Sequence, residues 1–292
     1  MSKIFVVVGP TGVGKTELSI ALAKKYNASV INADATQVYK EVNIGVAKIR
    51  KDEMQGVPHY MLDVVNLDEE YTVADYQRDA RKILDNLIKE NKNVIIVGGS
   101  GLYVKALLYD YRFTNEDKKK SNFESYTNEE LKEKVDSIYK DNNIHVNNRK
   151  RLERFLEHYN NTGEIIMNND FKDKPLYDFI MIGLTTDKDN LNNHLSLRIN
   201  DMLMKGLIEE ANVLSEYSKI YTFIGYKEVL DYSQKKMSLK EAINLIESRT
   251  RNYAKRQYTW FKNQFDNITW FNTDYRNFDN TIKEVIDHLE SL

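Results

Sequence analysis

Residues 4–34 read IFVVVGPTGVGKTELSIALAKKYNASVINAD, and this stretch decides the fold. It opens with five β-branched and aromatic residues, passes through a glycine-rich turn, and continues as TELSIALAKKY with apolar residues at helical spacing. A second apolar run then ends at Asp34. The pattern predicts a strand, a loop, a helix and a second strand, which is the beginning of a parallel sheet covered by helices.

The glycine-rich turn fits the spacing G-x-x-x-x-G-K-[ST] of a phosphate-binding loop. Backbone N–H groups and a helix N-terminus would face an anion, Lys15 would add a positive charge, and the Thr16 hydroxyl could take Mg²⁺. A chance glycine-rich turn is the alternative, and the flanking strand and helix argue against it. The residues assigned to the phosphate are Gly9, Pro10, Thr11, Gly12, Val13, Gly14, Lys15 and Thr16.

The rest of the chain continues the alternation of strands and helices. The run NVIIVGGSGLYVKALL at 93–108 repeats the order of strand, glycines and helix, and FIMIGLTT at 179–186 reads as the last strand, with only helices after it. Residues 114–174 are rich in charge and predict loops and amphipathic helices. We therefore predict an α/β fold, a P-loop NTPase-like parallel sheet flanked by helices (1–113 and 175–292), with a small inserted helical subdomain at 114–174.

Composition narrows the class of protein. The chain has 292 residues, 41% of them hydrophobic, which is enough to form a buried core. It has no cysteine, which excludes disulfide bonds. The opening apolar run is too short for a signal peptide or a membrane span, and we expect a cytoplasmic enzyme without a membrane association. The net charge of -2 gives no overall attraction to nucleic acid, so such a partner would need local basic clusters.

Two polar residues follow predicted strands at the same edge of the sheet. Asp34 ends the second strand and Ser100 follows the strand NVIIV, so both should face the phosphate-binding loop. Asp34 could instead bridge a metal or cap a helix, and Ser100 could simply cap the helix that follows it. The strand NVIIV runs into two glycines and lacks the acidic metal ligand typical of ATP-driven proteins, which weakens an energy-coupling function.

Beyond these patterns, the chain resembles the tRNA dimethylallyltransferases, also called tRNA isopentenyltransferases. The resemblance follows the family order over nearly the whole chain. It rests on GPTGVGKT at 9–16, NADATQVYKEVNIGVAK at 32–48, YTVADYQRDA at 71–80, GGSGLYVKAL at 98–107 and RTRNYAKRQYTWF at 249–261. The combination of D-x-x-Q, GG-[ST]-GLY and YAKRQ-x-TWF is far more specific than the phosphate-binding loop alone.

The resemblance implies transfer of a dimethylallyl group from dimethylallyl diphosphate to the exocyclic amine of the adenosine 3' of the anticodon, with Mg²⁺ as cofactor. Asp34 matches the family's general base, and Ser100 stands where the family usually has threonine. Arg198 matches the second arginine of a family R-x-x-x-R pair and would stabilise the leaving diphosphate. Alternatively, Arg198 would be a surface residue that forms an ion pair with Asp201. His194 replaces the first arginine, which leaves its role open.

The resemblance also implies contacts with the tRNA anticodon stem-loop. The adenosine would be flipped into a channel that meets the donor site from the opposite side, with Gln37 reading the base. The expected tRNA-binding residues are Asp34, Ala35, Thr36, Gln37, Ser100, Lys150, Arg151, Arg154, Arg249, Arg251, Lys255 and Arg256. The basic stretch also holds Trp260 and Phe261, for which the sequence favours a core position. The insertion is shorter than is usual in the family, so contacts from it cannot all be assigned.

Two other functions stay open at this level. A small-molecule or nucleotide kinase would bind ATP in the same loop, and an RNA-binding NTP switch would show nucleotide-dependent RNA affinity without a covalent product. Neither requires a base at Asp34. We expect a monomer with no stable protein partner.

Overall fold

The structure is a computed structural model, and it describes residues 2–111, 113, 122–163, 165 and 173–292. The chain divides into two compact units. The first comprises Met1–Tyr109 and Pro175–Leu292, and the second is Asp110–Lys174. The second unit contains the insertion predicted at 114–174 and begins four positions earlier along the chain.

The first unit is built on six parallel strands. These are β1 (Ile4–Val8), β2 (Ala28–Asn32), β3 (His59–Tyr60), β4 (Asn93–Gly98), β5 (Ile180–Thr185) and β6 (Ile268–Asn272). Their order across the sheet is β3-β2-β4-β1-β5-β6, and every neighbouring pair is parallel. The strand order places β1, which leads into the phosphate-binding loop, in the middle of the sheet. The predicted α/β class with a parallel sheet flanked by helices is confirmed.

Helices connect and cover these strands. In the first unit they are α1 (Lys15–Tyr26), α2 (Val73–Lys89), α3 (Gly101–Leu108), α6 (Lys188–Met204), α7 (Leu207–Val213), α8 (Tyr226–Ser233), α9 (Leu239–Gln264) and α10 (Phe278–Glu290), with a 3₁₀ turn at Ser218–Thr222. In the part of the chain that the structure describes, no helix has both the length and the apolar character needed to cross a membrane.

Alternation along the strands explains why the sheet is buried on both faces. In β1, Ile4, Val6 and Val8 belong to one hydrophobic cluster, whereas Phe5 and Val7 belong to another. All five are at most 5% exposed. A strand that is covered on both sides must be apolar at every position, which is why the opening run shows no polar alternation.

Strand β6 corrects the sequence prediction that the strand at 179–186 is the last. Its sequence ITWFN pairs with β5 from Met181↔Ile268 to Thr185↔Asn272. The side chains of β6 are partly exposed because β6 lies at the edge of the sheet. Four of its five residues are β-branched or aromatic, types that are enriched in strands, and its pairing with β5 completes the sheet at this edge.

The second unit is a small helical body with its own core. It contains α4 (Asn128–Ile138) and α5 (Arg149–Thr162). Thr127 caps α4, since its side chain accepts from the amide of Glu130 while the Glu130 carboxylate accepts from the Thr127 amide. The apolar faces of the two helices enclose Leu131, Val135, Ile144, Leu152, Phe155 and Leu156. Within the described residues, this unit is held together by the packing of its two helices.

Candidate active site

The carboxyl ends of β1, β2 and β4 open onto a cavity of about 1190 Å³ in the first unit. Its walls come from the phosphate-binding loop, the turn after β2, the end of β4, and helices α6 and α9. The lining residues that matter here are Thr11, Gly12, Gly14, Lys15, Thr16, Asp34, Thr36, Gln37, Gly98, Gly99, His194, Arg198, Tyr253, Arg256 and Gln257. Five of the eight residues predicted for the phosphate therefore share one cavity with Asp34, whereas Gly9, Pro10 and Val13 do not line it.

The phosphate-binding loop has a tightly constrained backbone. Gly9 has a φ of 144°, and a Cβ there would lie 2.4 Å from the carbonyl oxygen of Leu184 in β5. Only glycine fits that position. At the other end, Gly14 precedes α1 in a left-handed conformation. The amide of Thr11 donates to Oε1 of Gln257 at 2.8 Å, so this N–H group is engaged within the protein and does not face a ligand.

Residues that follow β6 support the loop from the other side. The Thr273 hydroxyl donates to the carbonyl of Val13 at 2.9 Å, and the Tyr275 hydroxyl donates to the carbonyl of Gly12 at 3.0 Å. The Tyr275 ring stacks on His194, with ring centroids 4.4 Å apart. Burial raises the pKa of Tyr275 to about 12, so the phenol stays protonated and donates. Val13 is fully buried, so it can offer a ligand only its backbone.

Lys15 lines the cavity at the first position of α1. Its ammonium donates to the carbonyl of Pro10 at 2.5 Å. Burial lowers the pKa of Lys15 to about 7; the negative charge of Asp34 opposes this shift, and the positive charge of Arg198 adds to it. The ammonium is thus poorly solvated and close to losing its proton at neutral pH. An anion bound beside it would restore its charge.

Asp34 lies two positions after the end of β2 and is half-buried. Its Oδ1 accepts two hydrogen bonds from Thr36, one from the amide at 2.9 Å and one from the hydroxyl at 2.7 Å. The Asn32 side chain donates to the backbone carbonyl of Asp34 at 3.3 Å and to that of Met61 at 3.0 Å, which fixes the turn. The turn after β2 therefore holds the carboxylate in one orientation at the cavity wall.

Ser100 follows β4 and precedes α3, yet its side chain forms no cap to that helix. Its hydroxyl accepts instead from the amide of Ala35 at 2.9 Å, beside Asp34. The two turns approach so closely that a Cβ on Gly98 would lie 2.1 Å from the carbonyl oxygen of Ala33. The Tyr253 hydroxyl also interacts with the Ser100 side chain. The helix-capping alternative for the Ser100 side chain is thus not what the structure contains.

Arg198 and His194 lie one turn apart on α6 and both line the cavity. Burial lowers the pKa of Arg198, and the charges of Asp34 and Asp201 oppose that shift. Asp201 forms its ion pair with Lys205 at 2.7 Å, which disfavours the surface pair considered for Arg198. Burial, followed by the charge of Arg198, lowers the pKa of His194. Arg198 therefore supplies the permanent positive charge of this wall.

Gln37 lines the cavity, and the loop at 43–47 orients its side chain. Its amide group donates to the carbonyl of Val46 at 3.2 Å. The backbone N–H groups of residues 43–45, just before Val46, donate to the carboxylate of Glu210 on α7 at 2.9–3.2 Å. The Tyr226 hydroxyl donates to the same carboxylate at 2.5 Å. Glu210 and Tyr226 thus fix the loop against which Gln37 is held.

The basic residues of α9 fall into two groups. Arg249 pairs with the buried carboxylate of Glu228, and Arg251 pairs with Glu247 at 3.2 Å. Lys255 and Arg256 are exposed, and Arg256 also lines the cavity. Trp260 and Phe261 pack against the hydrophobic cluster on their face of the sheet, as the sequence favoured. Lys255 and Arg256 are therefore better placed than Arg249 to contact a phosphate.

The basic residues predicted in the insertion belong to the second unit. Lys150, Arg151 and Arg154 are exposed on α5. Arg149 forms an ion pair with Glu153 at 2.7 Å and donates to backbone carbonyls in its own unit, including that of Phe123 at 2.7 Å. Arg149 thus stabilises the unit, whereas the other three side chains face solvent.

The residues present suit a magnesium ion only if a ligand supplies further oxygens. Among the described residues, no group of three or more acidic, histidine or cysteine side chains is arranged to hold a metal. Thr16 is exposed in the cavity at the first turn of α1. Mg²⁺ keeps several waters and binds substrate phosphates readily, so one hydroxyl together with phosphate oxygens is a suitable set.

A comparison with models of known protein families shows to which family the chain belongs. The model of the family described as IPP transferase matches residues 37–264. The chain belongs to this family.

Individual relatives agree with this membership of the IPP transferase family. The tRNA dimethylallyltransferase of Anoxybacillus flavithermus is 39% identical over 300 residues, covering 99% of this chain and 96% of the relative. The solved tRNA isopentenylpyrophosphate transferase of Bacillus halodurans is 35% identical with a TM-score of 0.75, covering 100% of this chain and 96% of that one. A eukaryotic dimethylallyltransferase, whose structures were solved as it acts on tRNA, is 28% identical with a TM-score of 0.85. The match covers 98% of this chain and 78% of that one.

Sequence reasoning missed several residues of this IPP transferase site. Gln257 and Tyr253 are four positions apart on α9 and both line the cavity. Their helical spacing within the quoted stretch could have indicated a shared face. Glu210 ends the stretch RINDMLMKGLIEE, which weakly resembles the family, but the resemblance does not indicate its contacts with the amides at 43–45. Tyr275 stands in a stretch with no distinguishing pattern.

Proposed function

We propose that the protein transfers a dimethylallyl group from dimethylallyl diphosphate to the exocyclic amine of the adenosine 3' of the anticodon in tRNA. The observation that carries the proposal is the placement of Asp34 in the same cavity as Lys15, Arg198 and the phosphate-binding loop. A base and an anion site in one cavity suit a reaction in which an amine displaces a diphosphate. Membership of the IPP transferase family supports the same reaction.

On the donor side, the loop would hold the diphosphate through backbone amides at the start of α1, with Lys15 and Arg198 as cations. We exclude the amide of Thr11 from this set, because it donates to Gln257. Thr16 would hold Mg²⁺ together with diphosphate oxygens, and the ion would neutralise charge on the leaving group.

On the acceptor side, Asp34 would act as general base. The amine nitrogen forms a bond to C1 of the dimethylallyl group, the C1–O bond breaks, and its electron pair leaves with the diphosphate. The amine proton passes to Asp34. Since Thr36 donates to Oδ1, we assign proton acceptance to Oδ2. Adenine's amine is a weak nucleophile, and removal of its proton during attack is typically worth about 100- to 10,000-fold in rate.

Charge develops on the diphosphate oxygens as the C1–O bond breaks. The loop amides belong to a constrained backbone, so they would stabilise this charge without reorganisation, and Arg198 would add a positive charge from the same cavity. The half-buried position of Arg198 strengthens its interaction with the anion compared with a surface arginine.

For the tRNA, we propose that Lys255 and Arg256 contact phosphates. Gln37 would read the adenosine with those side-chain amide atoms that its hydrogen bond to the Val46 carbonyl does not use. Lys150, Arg151 and Arg154 would add contacts from the inserted unit. Ser100 would act mainly by holding the amide of Ala35 beside the base. The kinase and the NTP switch receive no support from the site or from the family.

The experiment supplies purified protein with Mg²⁺, unmodified tRNA, and either dimethylallyl diphosphate or ATP. Nucleosides from the digested tRNA are then weighed by mass spectrometry. We expect an adenosine heavier by one dimethylallyl group with the prenyl donor and none with ATP alone. Absence of this product together with consumption of ATP would overturn the proposal in favour of a kinase.

A further inference from the structure

Gln257 is a buried polar residue in the middle of α9, with 6% of its surface exposed. A buried amide must find hydrogen-bond partners for its oxygen and its nitrogen, or its burial is costly. Two of its partners are backbone groups far away in the sequence, and the Tyr253 hydroxyl, one helical turn earlier, also interacts with its side chain. Its side chain therefore connects parts of the chain that local structure does not hold together.

The two hydrogen bonds have opposite directions. Oε1 of Gln257 accepts from the amide of Thr11 at 2.8 Å, and Nε2 donates to the carbonyl of Gly99 at 2.9 Å. The carbonyl can only accept and the amide can only donate, so the orientation of the Gln257 side chain is fixed by its partners. No other uncharged side chain of this size offers an acceptor and a donor at these two places.

A glycine leaves the room that the second hydrogen bond needs. A Cβ on Gly99 would lie 2.2 Å from Nε2 of Gln257, so the glycine is required for the amide to reach the backbone. Gly99 immediately precedes Ser100, whose hydroxyl accepts from the amide of Ala35 beside Asp34. Thr11 lies inside the phosphate-binding loop. One side chain thus joins the donor loop to the turn that supports the base.

We propose that Gln257 is a positioning residue, which sets the separation between the phosphate-binding loop and the Ser100–Asp34 turn. Displacement of a diphosphate by an amine requires the nucleophile, the reacting carbon and the leaving oxygen to be aligned. A misplacement of about 1 Å can cost about 100-fold in rate. The loop would hold the leaving group and the turn would hold the base, so Gln257 controls the alignment through the backbone and without touching the reacting atoms.

Two variants of matched size test this role. Gln257→Met keeps the volume but loses both hydrogen bonds. Gln257→Glu keeps the acceptor for Thr11 and, when its carboxyl is protonated, also regains a donor toward Gly99. Burial and the facing carbonyl raise the pKa of the new carboxyl, so protonation falls in an accessible range. Gln77→Met is the control, because Gln77 also donates to a backbone carbonyl, that of Ala106 at 2.8 Å, but does not line the cavity.

The assay measures kcat, KM for dimethylallyl diphosphate, and thermal stability as a function of pH, with tRNA saturating. We expect Gln257→Met to lower kcat by about 10- to 100-fold at every pH. For Gln257→Glu, the ratio of its kcat to that of the wild type should rise as the pH falls, because the protonated carboxyl restores both hydrogen bonds. Gln77→Met should retain wild-type kcat.

A merely structural role for Gln257 gives a different result. Both variants would then have a lower melting temperature while kcat per folded molecule stayed at the wild-type value, with a pH-independent ratio, and this would overturn the proposal. The assay rests on the proposed prenyl transfer, so the wild type is measured first. No product from the wild type contradicts the proposed function, whereas product from the wild type with unchanged variants contradicts only the role of Gln257.

Discussion

Thr36 donates both its amide and its hydroxyl to the same oxygen of Asp34, Oδ1, at 2.9 and 2.7 Å. These two hydrogen bonds hold the carboxylate at Oδ1, and they thereby also fix the direction of Oδ2. A base must be placed within hydrogen-bonding distance of the proton that it removes, so this restraint serves the reaction directly.

Replacing Thr36 tests the restraint. Thr36→Val keeps the shape and the amide donor but removes the hydroxyl, and we expect kcat to fall about tenfold, the value of a hydrogen bond to a charged group. Thr36→Ser retains the hydroxyl and should stay within about threefold of the wild type. Steady-state kinetics with varied tRNA separates the two possible roles. A rise in KM for tRNA with kcat unchanged in Thr36→Val would mean that Thr36 binds tRNA and does not orient Asp34.

Lys15 gives donor binding a specific pH dependence. Its pKa in the free protein is about 7, so it is mostly neutral above that pH, and a bound diphosphate would raise the pKa again. Between pH 7 and the raised value, binding must therefore take up a proton, and affinity must weaken as the pH rises. Calorimetry at pH 8 in buffers of different ionisation enthalpy measures this uptake.

Lys15→Met is the control for the proton uptake, since it has no group to protonate at that position. Protonation of the ligand itself contributes equally to both proteins, so their difference isolates Lys15. Equal proton uptake by the two proteins would contradict the assignment. The variant should also bind dimethylallyl diphosphate more weakly at pH 6, where Lys15 of the wild type is charged.

Two arginines of α9 should behave differently. Arg249 pairs with Glu228, whose side chain is 2% exposed, so Arg249→Ala leaves a buried carboxylate without its cation. We expect a loss of about 1–3 kcal/mol in the free energy of unfolding, and little change in the salt dependence of tRNA affinity. Denaturant unfolding and binding titrations at several salt concentrations measure both quantities.

Arg256→Ala is the matched comparison. Arg256 is exposed and lines the cavity, so its replacement should change the free energy of unfolding by less than about 0.5 kcal/mol. The slope of log affinity against log salt should fall by about one, because one phosphate contact is lost. A reduced slope in Arg249→Ala, with stability unchanged, would support the sequence prediction that Arg249 contacts tRNA.

The sequence was most informative where structure is local. The strand, loop and helix at 4–26 follow from a short run of apolar residues, the glycines and the helical spacing, and the structure contains all three. Strand β6 was not predicted although four of its five residues are β-branched or aromatic, because the run is short and follows directly on a long helix. Its pairing with β5, which lies more than 80 positions away, cannot be detected from the sequence pattern.

The site shows the same limit. Asp34, Lys15 and Arg198 could be placed at one cavity because the carboxyl ends of parallel strands meet at one edge and because the quoted motifs resemble those of a family. The hydrogen bonds of Gln257 to Thr11 and Gly99 span 246 and 158 positions and depend on the packing of α9. The unexpected role of the Ser100 hydroxyl likewise arises from the approach of two separate turns.

The measurement that tests the proposed mechanism most directly is single-turnover transfer by Asp34→Asn, with enzyme in excess over labelled tRNA and dimethylallyl diphosphate saturating. Asparagine keeps the size and accepts from Thr36 but cannot take the proton. We predict that tRNA affinity stays within about threefold of the wild type while the rate of transfer falls by about 100- to 10,000-fold. Transfer at the wild-type rate would contradict the assignment of Asp34 as the base.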